Sequence, residues 1–183
     1  MPPNILPEAA KKVSNTVDPL LKELQDEIAA AIAVVPADRW SLSPPGKWCA
    51  AEVLEHLYLS YTGTSKGLER VAAAGKPLVT PPTWKQRGSA LVVLGFGHMP
   101  SGREAPKMAR PRGLERETVR SEIAAKIAEM DERIRQLEER FGVKTKLLDH
   151  PILGPLTGAE WREFHLVHGR HHLRQIRRRA GMK

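Results

Sequence analysis

Cysteine is almost absent from this 183-residue chain, with Cys49 the single example. An intrachain disulfide is therefore excluded, as is a zinc site built on several thiolates. Any metal site must draw on His, Asp or Glu. Aromatic residues are scarce at 5%. Few of them interleave with the basic residues, which argues against nucleic acid as a partner. No apolar run approaches the ~18 residues that a membrane span needs. The opening Met1-Pro2-Pro3-Asn4 lacks the basic stretch and apolar core of a secretory signal. A cytoplasmic protein with no membrane partner is expected.

Acidic residues are outnumbered, 21 against 29 basic ones, for a formal charge of +8. Much of the excess is local, because Arg170, Arg174, Arg177, Arg178, Arg179 and Lys183 crowd the C-terminus. Cations there suit the negative end of a helix dipole and a solvated face. With 41% hydrophobic and 27% charged residues, the chain reads as one globular domain over 1–183.

Helical periodicity dominates, and no stretch shows sustained alternation. The first long helix is expected over 19–35, with Asp18 as N-cap and Pro19 at the first turn. Leu21, Leu24, Ile28, Ala31 and Val35 form its stripe. A short helix over 7–17 is expected before it. The second runs over 49–74, marked by Leu54, Leu57, Tyr61 and Leu68 and closed by Gly75. Residues 75–114 read as a long crossover with a short helix near 84–95. The third long helix carries Ile123, Ile127, Met130, Ile134, Leu137 and Phe141, spaced alternately by four and three, and stops at Gly142. The fourth opens on a capping box, Thr157 to Glu160, and runs over 158–180. The expected fold is all-α: a four-helix bundle in which the crossover lets helices two and three run parallel, up-down-down-up.

On a wheel of the fourth helix, Trp161, Phe164, His165, His168, His172, Gln175 and Ile176 share one side. Arg162, Arg170, Arg174 and Arg177 fall outside that stripe, on the side expected to meet water. Several inward histidines must each be desolvated and hydrogen-bonded, and a metal ion resolves that demand. His168 and His172, four apart, can meet one ion; so can His165 and His168, three apart. A third ligand must come from another helix, and the third long helix offers no inward histidine or evident carboxylate. His56, beside the small Cys49, Ser60 and Gly63, is the best candidate, although alone it reads more readily as a hydrogen-bonded edge residue than as a ligand. Glu52 reads as a cap of helix two and Glu55 as solvent-facing.

The run Trp48-Cys49-Ala50-Ala51-Glu52-Val53-Leu54-Glu55-His56-Leu57 resembles the helix-two motif of the DinB-like (YfiT-like) superfamily. His168-Gly169-Arg170-His171-His172-Leu173-Arg174-Gln175-Ile176 resembles its helix-four motif, and residues 150–157 followed by Trp161 resemble the lead-in of one branch. The resemblance implies an up-down-down-up bundle, often a homodimer, with one divalent metal held by His56, His168 and His172. His171 would be the intervening non-ligand. From their positions on the helix, His165 and Gln175 are candidate outer partners of the site. Where the family often has a capping serine, this chain has Cys49. The ion would be zinc or nickel, and no general base stands out. The implied activity is transfer to or from a low-molecular-weight thiol, with an electrophilic small molecule as second substrate. Metal-dependent hydrolysis is the neighbouring chemistry. A non-catalytic basic module that binds protein or nucleic acid, its metal structural or absent, is the rival class.

Overall fold

The structure, a computed structural model, describes residues 16–100, 102 and 104–181. The helix expected over 7–17 lies outside them, save for Thr16 and Val17, which are not helical. Five α-helices are present among the described residues: α1 (Pro19–Ala33), α2 (Ala50–Ala74), α3 (Trp84–Ala90), α4 (Arg116–Phe141) and α5 (Gly158–Arg179).

The helix ends follow local chemistry. Asp18 caps α1 by accepting from the Leu20 N–H at 2.9 Å. Glu52 reaches back to the Cys49 N–H at 2.7 Å, so the capping role falls to the glutamate at the start of α2. Gly75 ends α2 at φ 67, a conformation a side chain would strain. Thr157 and Glu160 form the expected capping box of α5.

Each long helix contributes an apolar stripe to the core. Leu21, Leu24 and Ile28 of α1, Leu54, Leu57, Tyr61 and Leu68 of α2, Ile123, Ile127, Met130 and Ile134 of α4, and Leu173 and Ile176 of α5 meet in one core. Burying each aliphatic side chain contributes about 1.5–3 kcal/mol. Most differences in helix propensity are below ~1 kcal/mol. The stripes therefore set how the helices turn toward one another.

Cross-helix pairs fix the directions. Tyr58–Glu122, Ser65–Glu129 and Glu69–Arg133 join α2 to α4, each pair 64 residues apart, so these helices run parallel. Asp18–Arg162 and Glu27–Arg170 keep a nearly constant offset between α1 and α5, which are also parallel. Trp48–Arg179, His56–His168 and Thr64–His165 run in opposite senses along the chain, so α2 and α5 are antiparallel.

Four expectations need correction, the last of them in the crossover. The chain is mostly helical but not all-α, because β1 (Leu148–His150) pairs antiparallel with β2 (Gly154–Leu156), and Leu78 bridges to Leu148. Strands of three residues are too short to show alternation. Arg162 does not face water: it is buried, bound to Asp131 at 2.7 Å and to Glu138 at 2.9 Å. Asp131 is also an inward carboxylate on α4, although it holds Arg162 and the Asp18 N–H, not the histidines. The wheel failed here because α5 packs against α1, α2 and α4, so more than one of its sides is covered.

The crossover is tied down at several points. α3 is capped by Thr83 and Gln86 and continues into a π-helical turn at Leu91–Gly95. A 3₁₀ turn at Lys107–Ala109 then packs on α2. Glu55 anchors the end of the segment, since its buried carboxylate accepts from the Arg112 N–H at 2.8 Å and the Gly113 N–H at 3.1 Å. The solvent-facing reading of Glu55 is thereby overturned: the crossover covers this side of α2.

Candidate metal centre

α2 delivers His56 and α5 delivers His168 and His172, and the antiparallel contact of the two helices brings them together. One ring nitrogen from each lies within 4.8 Å of the others. His56 Nε2 and His168 Nε2 are 3.1 Å apart. Two nitrogens bound to one ion at ~2.1 Å have that separation at an angle of about 95°. His56 and His168 are buried, while His172 keeps part of its surface open to a cavity.

The outer contacts select the tautomers. His56 Nδ1–H donates to the Ala109 carbonyl at 2.7 Å, which leaves the Nε2 lone pair free. His172 Nδ1–H donates to Gln175 Oε1 at 3.1 Å, with the same result. Gln175 in turn donates through Nε2 to His171 Nε2 at 2.9 Å. His168 Nδ1 is buried without a partner among the described residues, so no group outside the triad bonds that ring. Phe164 stacks on it, with centroids 5.2 Å apart.

Burial keeps all three imidazoles neutral. It lowers the pKa of His56, although the Ala109 hydrogen bond opposes it. It drives His168 well down, helped by the proximity of His172 and His56. It brings His172 to about 3, with His56 and His171 adding to the effect. Neutral imidazole is the form that ligates. The convergence, the freed lone pairs and the neutral charge state together fit a divalent ion.

The other singled-out residues fall elsewhere. His165 is fully buried one turn before His168. Its Nε2 meets Thr64 Oγ1 at 3.1 Å, and its ring packs against Trp161, Phe164 and Tyr61. It holds none of the three histidines by a hydrogen bond. His171 is the half-buried acceptor of Gln175. Cys49 is buried at the start of α2, and burial pushes its thiol up, which suits a packed residue. Sequence reasoning missed Ala109, because a backbone carbonyl has no residue signature. It also missed the partnership of Glu55 with Arg112 and Gly113, which lies 57 residues away along the chain.

A cavity of about 1360 Å³ opens beside the triad. Ser60 and Gly63 of α2 leave room for it, while Gly67 gives way to the Leu148 side chain, and the crossover contributes Trp84, Val92 and Met108 to the wall. A Cβ at Gly63 would touch nothing within 4 Å.

Residues 21–179 match the model of a family described as "Protein of unknown function (DUF1569)". No curated protein and no solved structure matches the chain. The match spans both helices that carry the triad, as well as the crossover and the strand pair. The chain therefore belongs to the DUF1569 family.

Proposed function

We propose that this chain is a DinB-like four-helix bundle, ordered up-down-down-up, that holds one divalent metal ion through His56, His168 and His172 and works as a thiol-dependent transferase. The observation that carries the reading is the convergence of three neutral histidines, two with tautomers fixed from outside, at the edge of a large cavity. The helix directions given by the cross-helix pairs support the bundle order. The motifs around His56 and His168–His172 resemble those of the DinB-like superfamily.

A divalent ion bound here supplies Lewis acidity that lowers the pKa of a coordinated thiol or water. The residues of the chain do the rest. Ala109 and Gln175 hold the rings of His56 and His172 in place. Trp48, 5.2 Å from His56, and Phe164, stacked on His168, keep water from the flanks of the imidazoles. A site of three neutral donors leaves the charge of the ion uncompensated, which favours an anionic further ligand such as a thiolate over a neutral one. Space for the electrophilic partner lies in the adjoining cavity.

Cobalt substitution tests the reading. Titrating a small thiol such as mercaptoethanol into the cobalt-loaded protein is expected to change its visible absorption, with a new sulfur-to-metal charge-transfer band. A spectrum that ignores thiols removes the transferase proposal. Water-derived chemistry would then be the next to examine.

A further inference from the structure

The cavity beside the triad is strongly biased in charge. Among the described residues its walls carry Lys47, Arg70, Lys85, Arg110, Arg178 and Arg179, against two carboxylates, Glu104 and Asp149. Glu104 is bound to Arg110 at 2.6 Å. Asp149 Oδ2 accepts from the Thr80 N–H and hydroxyl at 2.9 and 2.7 Å. Asp149 has no cation among its hydrogen-bond partners, and six cations against two carboxylates leave the lining with an excess of positive charge.

Three of those cations come from the two elements that meet at the Trp48 end of the cavity. Arg178 and Arg179 lie on the last turn of α5, six and seven residues beyond His172, or ~9–10 Å along the axis. Lys47 lies in the loop before α2, next to Trp48, whose ring touches His56. Arg179 Nε donates to the Trp48 carbonyl at 2.9 Å, which joins the two elements and leaves the other guanidinium nitrogens available. Arg178 lines the same cavity as His171 and His172. Among the described residues, no acidic side chain pairs with Lys47, Arg178 or Arg179. Glu52, the nearest in sequence to Lys47, accepts the Cys49 N–H. A helix dipole accounts for cations on the last turn of α5. It does not account for Lys47, nor for the fact that all three line the cavity.

We propose that Lys47, Arg178 and Arg179 form an anion subsite, and that the cavity takes a small amphipathic molecule. Its carboxylate or phosphate group sits on these three side chains, and its apolar body lies along the crossover wall at Val92 and Met99. This inference rests on the triad being the reacting centre, since it names the class of substrate presented there. The planar forks of the two arginines suit either anion, and the lysine adds a point charge.

Calorimetry on the full chain tests it with octanoate, octyl phosphate and octanol as probes. At least one anion is expected to bind roughly tenfold or more tightly than octanol. That preference is expected to disappear in the Lys47→Gln/Arg178→Gln/Arg179→Gln variant while octanol binding stays unchanged. Lys47→Gln/Arg178→Gln, which alters only exposed side chains and keeps the Arg179–Trp48 contact, should lose part of it. The tighter of the two anions identifies the headgroup. Equal binding of octanol and both anions overturns the subsite. So does an anion preference that survives the triple substitution, because the anion is then held elsewhere. A failure of the thiol reading appears separately, in the cobalt spectrum.

Discussion

Replacing Arg162 by methionine is expected to destabilise the protein by about 3–5 kcal/mol, a large share of the ~5–15 kcal/mol that keeps an ordinary domain folded. The guanidinium is buried and bound to Asp131 at 2.7 Å and to Glu138 at 2.9 Å, with Asp18 at 3.7 Å. The side chains of Asp131 and Glu138 are 8% and 13% exposed, so solvent does little to screen them. Without the arginine, the buried Asp131 and the largely covered Glu138 are left with no cation between them. Asp131 also receives the Asp18 N–H at 2.7 Å, so the damage reaches the start of α1. Arg162→Lys keeps the charge but not the fork, and should lose less. Urea unfolding followed by circular dichroism measures both. A loss below about 1 kcal/mol for Arg162→Met would show that the network contributes little to stability.

Acid is expected to unfold the metal-free protein sharply. Burial depresses His150 to about 4 and His165 to about 3, the latter helped by His150. The triad histidines are lowered as well, with His172 at about 3. An unfolded histidine titrates near 6.5. Below that pH the unfolded chain takes up protons that the folded chain refuses, so stability is complete above about 6.5 and falls with the pH toward 3–4. Each such histidine contributes about 1.4 kcal/mol per pH unit in that window. Three acting together remove about 4 kcal/mol per unit, a loss that an ordinary domain survives over only a few units. Thermal melts in chelator from pH 8 to pH 5 check this. A divalent ion that binds only the folded chain should shift the transition to lower pH. A melting temperature unchanged between pH 7 and pH 5 would contradict the burial of these rings.

What the sequence revealed and what it hid divide along physical lines. The stripe from Ile123 to Leu137 specified α4, because a spacing of four and three has one interpretation over so many residues. The α5 wheel placed His168 and His172 on one inward face, and the small residues around His56 marked the place on α2 where a cavity opens. Arg162 and Asp131 were not legible. A wheel assumes one buried side, whereas α5 is covered on several, and a pair 31 residues apart leaves no local pattern. The crossover was legible only as an interruption. Its role depends on where Glu55 catches the Arg112 and Gly113 N–H groups, three residues past the carbonyl that orients His56. β1 and β2 escaped because strands of three residues carry no periodicity.

The metal content of the purified full chain decides whether the triad holds an ion. Elemental analysis should be run on the wild type and on the His56→Ala, His168→Ala and His172→Ala variants, with circular dichroism to show that each is folded. Close to one divalent ion per wild-type chain is expected, and far less in every variant. A wild type that stays metal-free after reconstitution, or variants that keep the ion while folded, would mean that the three histidines converge without serving as its ligands.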